Sequence, residues 1–446
     1  IRYLVRSRGL GDVYKRQSLT GGFDAMIGNP PWDRMKLQQV EWFAARKREI
    51  ALAQRASDRA KMIAALEKAK DPLAKDFAKA NERAEAAVRM ARNCGDYPLL
   101  SGGDVNIYSL FVERAMTLVK PTGMVGLLTP SGIASDKTAA PFFKSVATGG
   151  RLKALYDFEN RRTRFNAQPF FPDVDSRFKF CAMIASPSPV KSDTLCAFFL
   201  QDVSELNDPE RCFPLSAGDF ASVNPNTGTA PIFRTRRDAA LTTAIYGRLP
   251  VLVDSSSGTE VKAWPVKYLR MLDMTNDSNL FRTRHELEEQ EGAYPTGGNH
   301  FRSKAGEWVP LYEGKMVQAY DHRAANVVVN PDNQHRPAQP QPATLAQHES
   351  PDWLPDPQFW INRAGDPIMN LDYLLGFKDV TAPTNMRSMI AAVIPGTGVG
   401  NTLPLVLSDE PESKLSADSI ATMLANMNAI IFDLSLIHIS EPTRPY

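Results

Sequence analysis

The chain is expected to be an α/β protein that continues into a mixed α+β region, and three observations carry that expectation. Apolar, strand-like runs alternate with helix-like runs across residues 18–186. A stretch rich in Ala, Lys, Arg and Glu at about 37–92 interrupts them and reads as an inserted helical hairpin. From residue 187 to 433 the texture changes to Pro, Asn, Asp and short apolar runs, which predicts a second domain there.

The first strand is Phe23-Asp24-Ala25-Met26-Ile27-Gly28, an apolar run that reads as a short buried strand. It stops at Asn29-Pro30-Pro31-Trp32, because a pair of prolines cannot continue a hydrogen-bonded ladder. Asn29 can offer a side-chain carbonyl oxygen to an N–H. Pro30 has no backbone N–H, so its carbonyl is the group it presents, and Pro31 holds Pro30 towards an extended conformation. Trp32 adds a flat face for stacking. Two acceptors and one stacking plane describe a socket for the amino group of a planar ring, such as a base turned out of its helix. A proline-rich turn after a core strand is the plainer reading of the bare tripeptide. The apolar strand before it and the aromatic ring after it favour the socket.

In the inserted hairpin the break falls at Asp71-Pro72, with Pro72 near the first turn of the second helix. Trp42, Phe43, Ile50 and Leu52 in the first arm, with Leu73 and Phe77 in the second, are the expected seam. Acidic residues interspersed among the lysines and arginines favour a solvent-facing hairpin over a clamp along a nucleic-acid backbone. An amphipathic helix then ends near Lys120, where Pro121 and Gly123 mark the stop. Strands follow at 124–129, 152–158 and 178–185, with a helix through 142–146 between the first two. In the second domain, residues 330–350, including Pro337-Ala338-Gln339-Pro340-Gln341-Pro342, read as a loop or a disordered segment. Around it lie Arg234-Thr235-Arg236-Arg237, Trp264, Lys267, Tyr268, Arg270, His300-Phe301-Arg302, Trp360 and Arg363. Interleaved cations and aromatics suit a surface that reads nucleic acid, and they equally suit an ordinary mixed surface.

The formal net charge of the 446 residues is only +2, so any polyanion must be met by local patches rather than bulk charge. No apolar run approaches the length of a bilayer-spanning helix. Cys94, Cys181, Cys196 and Cys212 form no CxxC pair, do not suggest a metal site, and point to a reducing, cytoplasmic setting. Cys181, inside an apolar strand, reads as a small core residue. The histidines are scattered, and His322 reads either as a phosphate contact or as a solvated surface residue. Glu313-Gly314-Lys315 forms an ExK triplet with no convincing acidic partner strand upstream, and so is not read as a nuclease.

The Asn-Pro-Pro-Trp turn and its surroundings resemble the amino-group DNA methyltransferases that use S-adenosylmethionine. The resemblance is to the adenine-specific, large single-chain methylases of restriction-modification and phage-defence systems. It extends to Gly103-Asp104-Val105-Asn106-Ile107-Tyr108 and the helix that continues from it, to residues 120–131, to LYDFEN at 155–160 and to 170–186. Residues 311–323 and 371–407 are similar to the family's target-recognition region. The resemblance implies the later half of a Rossmann-like class I methyltransferase sheet, its last strand antiparallel, followed by a recognition region for double-stranded DNA. It implies that Asn29, Pro30, Pro31 and Trp32 form the catalytic turn and that Asn29 borders the cofactor. Trp32 would stack on one side of an extruded adenine, with Phe171 on the other. Restriction or defence-system subunits are the implied partners, and adenine rather than cytosine rests on the resemblance alone. Similar motifs serve RNA and protein-glutamine methyltransferases, and a catalytically silent DNA-binding scaffold is a further alternative.

The family's Gly-rich cofactor loop lies upstream of this motif. Gly396-Thr397-Gly398-Val399-Gly400 does not replace it, because Asn401-Thr402-Leu403-Pro404 follows instead of a helix. Leu434-Ser435-Leu436-Ile437-His438-Ile439-Ser440-Glu441-Pro442 translates one DNA word. Its reverse complement translates as Gly9-Leu10-Gly11-Asp12-Val13-Tyr14-Lys15-Arg16-Gln17. The word resembles a transposon-end sequencing adapter, so residues 1–17 and 434–446 are expected to be adapter-derived and the remainder an internal fragment of a longer gene. On that reading the chain alone is expected to be inactive.

Overall fold

The computed structural model describes residues 21–53, 56–330, 338–363, 366–381, 387–410 and 414–438. The terminal stretch 1–17 lies outside these. The chain divides into two compact units, Ile1–Pro250 with Asp254–Thr259, and Val251–Val253 with Glu260–His438.

The first unit is built on a six-stranded sheet: β1 (Phe23–Gly28), β2 (Val119–Pro130), β3 (Leu152–Glu159), β4 (Lys179–Ala185), β5 (Thr194–Leu200) and β6 (Phe213–Leu215). The spatial order is β1-β2-β4-β3-β5-β6. β1 runs parallel to β2 and β3 parallel to β5, while β4 lies antiparallel between β2 and β3. The resemblance implied an antiparallel last strand, whereas β4 is followed in the chain by β5 and β6 of the same sheet. The core is aliphatic and aromatic, with Val125, Leu152, Met183, Cys196 and Phe143 among its fully buried members. Cys181 is buried within it as a small core residue.

Two expectations about this sheet are corrected. Among the described residues β1 is an edge strand rather than a buried one: its strand partner there is β2, and Ile27 is 90% exposed. An apolar strand is buried only where neighbours cover it. The first unit also does not end where the composition changes at residue 187, because β5 and β6 belong to its sheet and the unit runs to Pro250. Arg234, Arg236 and Arg237 therefore belong to this unit, where Thr235 caps the helix Arg236–Tyr246. The β1–β2 register jumps between Phe23↔Val119 and Ala25↔Met124. Gly123 sits at the jump, where a Cβ would meet the Asp24 carbonyl oxygen at 2.6 Å, so only glycine fits.

The inserted hairpin exists, but its first arm is broken. Short helices α1 (Gln39–Ala44) and α2 (Arg48–Leu52) precede α3 (Ala56–Lys68), and α4 (Pro72–Asn93) returns. Asp71 caps α4 by accepting a hydrogen bond from the Leu73 N–H, with Pro72 just inside the first turn. Phe43, Ile50, Ile63, Leu66, Ala74 and Phe77 make the seam, while Leu52 points out at 66% exposure. α5 (Ile107–Leu118) and α6 (Ala140–Ala147) pack their apolar faces into the core of the sheet. The buried Glu113 of α5 accepts from the Leu99 and Leu100 N–H groups, which ties α5 to the segment that follows the hairpin.

The second unit is mixed α+β. β7 (Val266–Leu269) edges a four-stranded sheet with Tyr373–Phe377, Ala391–Pro395 and Leu405–Ser408, and a second sheet is centred on Gly306–Tyr312. The expected loop at 330–350 is instead partly ordered. Ala325–Val329 and Ala338–Pro342 pair as an antiparallel hairpin, and Thr344 caps a short helix, Leu345–Glu349. Residues 331–337, with Pro337, lie outside the described residues. The last helix, Ile430–His438, carries the first residues of the stretch read as adapter, and residues 439–446 are not described. Among the described residues no helix is long and apolar enough to cross a membrane.

Candidate functional site

The Asn29-Pro30-Pro31-Trp32 turn leaves the carboxyl end of β1 and is pinned immediately afterwards. The Met35 N–H donates to the Val105 carbonyl at 3.1 Å and the Ile107 N–H to the Asp33 carbonyl at 2.9 Å, so the exit of the turn is stitched to the start of α5. Within the turn Pro30 is buried, Asn29 and Pro31 are exposed, and Trp32 is half-buried. The Asn29 side chain makes no hydrogen bond to another described residue, which leaves its acceptor and donors open to solvent. Trp32 is the anchor: its Nε1–H donates to the Leu128 carbonyl on β2 at 3.4 Å.

Beside it stands an aromatic cluster that the sequence did not reveal as such. Phe158 on β3 and Phe180 on β4 are register partners and stack at 5.3 Å with an interplanar angle of 11°. The loop between these strands supplies Phe170 and Phe171. Phe170 meets Phe158 and Phe180 edge-on at 5.5 and 5.4 Å, and Phe171 meets Phe180 at 5.0 Å. Trp32 and Phe171 were each expected at this site and the fold brings them together, but in direct edge contact at 5.1 Å with an interplanar angle of 68°. A base held between two rings needs them roughly 7 Å or more apart. In this geometry the pair stands as one wall, where the resemblance implied a ring on either side of the base. The cause is the cluster itself, in which Phe171 packs on Phe180 as well as on Trp32.

The carboxyl ends of β2 and β3 add an electrostatic feature. Asp157 is buried, and the Ser131 hydroxyl donates to its Oδ1 while its Oδ2 has no hydrogen-bond partner among the described residues. Burial pushes this carboxyl up to about 6, against the opposing pull of the Ser131 hydroxyl and the Lys179 ammonium. Burial would also raise Glu159, but hydrogen bonds from Arg161 and Gln201 outweigh it and hold that group below the usual range. Next to them Phe199 adopts a left-handed backbone (φ 55°) where the β3–β5 register slips. Lys179 and Arg234 each lie 4.3 Å from its ring. Asp157 lies within the LYDFEN stretch but was not singled out as a candidate, and Phe199 carried no motif; the pairing of β3 with its neighbours puts them at this end of the sheet.

The described residues do not complete a cradle for S-adenosylmethionine. Asn29 is in the expected place at the strand end, but the described part of the first unit offers no glycine-rich turn opening a helix beside it. The glycine run in the second unit serves packing instead. A Cβ at Gly396 would lie 1.7 Å from the Leu371 carbonyl oxygen, and one at Gly398 would lie 2.4 Å from the Ile361 side chain. Gly398–Val399 is a short strand paired with Leu311 and Tyr312.

In the second unit several residues of the expected reading surface are core. Phe301 and Trp360 are 1% and 2% exposed, and Arg363 pairs with Glu307 at 3.1 Å. Lys267, Tyr268 and Arg270 are exposed along and just after β7, and Arg302 is exposed on a neighbouring sheet of that unit. His322 is half-buried: it shares a hydrogen bond with the Tyr312 hydroxyl at 3.3 Å, and burial lowers its affinity for a proton. Glu313 is buried and pairs with Lys315 at 3.0 Å.

The sequence matches no protein-family model and no curated protein. Among solved structures it is similar to the methyltransferase subunit of a type I restriction-modification system from Streptococcus thermophilus. That likeness has 9% identity over 47% of this chain and 38% of that one, with a TM-score of 0.26. It is also similar to the type IIL restriction-modification enzyme MmeI in complex with DNA, at 9% identity over 73% and 38% of the two chains and a TM-score of 0.34. A third likeness is to the type IIG restriction endonuclease BpuSI, at 10% identity over 79% and 42%, with a TM-score of 0.28. The chain thus spans well under half the length of each. Likeness at this level carries neither fold nor chemistry across, so both rest on the residues described above.

Proposed function

We propose that this chain carries the amine-binding half of a DNA adenine methyltransferase that uses S-adenosylmethionine, together with a target-recognition region, within a restriction-modification or phage-defence system. The observation that carries the reading is the Asn29-Pro30-Pro31-Trp32 turn at the carboxyl end of a parallel strand, with Asn29 exposed and unbonded and Trp32 seated in an aromatic wall. The cofactor supplies an electrophilic methyl group, and the rest of the chemistry falls to the protein. The target adenine must leave the stack to reach the turn. Asn29 Oδ1 and the Pro30 carbonyl accept hydrogen bonds from the exocyclic amine, which draws the nitrogen lone pair out of conjugation with the ring. The Trp32–Phe171 wall supports the base from one side. No covalent intermediate is needed, so positioning and electrostatics dominate. Exposed cations and tyrosine at Lys267, Tyr268 and Arg270 support assigning the second unit to DNA contact.

The test is methyl transfer by the parent protein, meaning the protein in the full length that its gene encodes. It is incubated with radiolabelled S-adenosylmethionine and unmethylated duplex DNA, and the modified nucleoside is identified by mass spectrometry. Methyladenine is the expected product. Label in RNA or protein instead would move the same chemistry to another substrate, and no label anywhere would favour a silent scaffold.

A further inference from the structure

Asn160 follows the last residue of β3 and has no part in the amine chemistry above. Its side chain is 1% exposed, yet every hydrogen bond it makes goes to one loop. Oδ1 accepts from the Phe171 N–H at 2.8 Å. Nδ2 donates to the carbonyls of Phe171 and Val174, both at 3.0 Å, and of Asp175 at 3.4 Å. Its main chain holds the same loop: the Asn160 N–H donates to the Phe178 carbonyl at 2.9 Å, and its carbonyl accepts from the Phe170 N–H at 3.1 Å. A buried primary amide is costly unless its donors and acceptor are matched, and here the matching partners are loop backbone groups rather than the core. Phe171 is gripped at both its N–H and its C=O, so its ring has little freedom to leave Trp32, 5.1 Å away.

We propose that Asn160 is a positioning residue for methyl transfer, clamping the Phe171 backbone so that its ring buttresses Trp32 beside the turn that receives the target amine. This rests on the methyltransferase reading. The requirement is for an amide of this length. Aspartate keeps the acceptor for the Phe171 N–H but loses the N–H donors to three carbonyls. Alanine loses both.

The parent protein is produced with fluorotryptophan, and the Trp32 fluorine resonance is assigned with Trp32→Phe. That resonance and the kinetics are followed in Asn160→Ala, Asn160→Asp, Phe171→Ala and the Asn160→Ala/Phe171→Ala double variant. Asn160→Ala is expected to move the Trp32 resonance to its Phe171→Ala position while the other tryptophans stay in place. It should lower kcat/KM roughly ten- to a hundredfold, mainly through kcat. The double variant should lose little beyond Phe171→Ala, because one residue acts through the other. An unmoved Trp32 resonance, or additive losses, would overturn the proposal. If every tryptophan resonance collapses in Asn160→Ala, the near-isosteric Asn160→Asp is read in its place, with the same shift expected and the same reversal decisive. If the parent transfers no methyl group, the reaction reading fails, while the fluorine comparison still decides whether Asn160 holds Phe171 against Trp32.

Discussion

Two asparagines close two strands of the same sheet and have opposite surroundings. Asn29, after β1, is exposed and makes no hydrogen bond to a described residue. Asn160, after β3, is almost fully buried and satisfied on both sides of its amide. The strands that carry them differ in the same way. β3 has β4 and β5 as neighbours, with Leu152 and Leu155 at 0% and 1% exposure, whereas among the described residues β1 has β2 alone and Ile27 lies open. An amide left free at a strand end is available to a ligand; an amide spent on a loop can only shape what stands nearby. The proposal gives the free amide of Asn29 to the substrate, whereas the amide of Asn160 is spent on the scaffold.

The comparison breaks most directly at Asn29. Asn29→Ala in the parent protein should lower kcat by roughly a hundred- to a thousandfold while DNA affinity and unfolding midpoint stay unchanged, as for loss of one oriented hydrogen-bonding group. Wild-type turnover would remove Asn29 from the reaction. Leu155→Ala should cost about 2–5 kcal/mol in urea unfolding, because a cavity opens inside the sheet. Asp157→Asn probes the buried end of β3. A carboxyl raised from 3.8 to about 6 is destabilising when ionised, so its cost is absent at low pH and grows as pH rises through that window. The variant should therefore gain stability over wild type, by about 1–2 kcal/mol more at about pH 7.5 than at about pH 5. A difference independent of pH would show that Asp157 ionises freely. The smallest effect is expected at the open strand. Ile27→Thr should change the stability of the chain by less than about 0.5 kcal/mol, and a larger loss would mean that the β1 face is covered in solution.

The proposed turn was legible in the sequence because its residues are local. Asn29, Pro30, Pro31 and Trp32 are contiguous, and the two prolines dictate a turn wherever the strand ends. The resemblance set Phe171 across an extruded base from Trp32, whereas the two rings stand in direct edge contact. The orientation was not legible, because whether two rings face each other or meet edge-on depends on Phe180, a residue on a third element. Asn160 and Asp157 were invisible as functional candidates for a related reason. Their significance comes from partners 11 to 26 residues away, across strand pairings that no local pattern encodes.

The amino-acid sequence by itself determined the elements: where strands stop at proline, where Asp71 and Pro72 start a helix, and which apolar runs needed cover. Only the tertiary structure decided how far the first unit extends and which strand received cover. It also decided which asparagine was consumed by the scaffold. The physical reason is that hydrophobicity and hydrogen-bonding capacity belong to a residue, whereas burial and satisfaction belong to its neighbours, and those are chosen by sheet order.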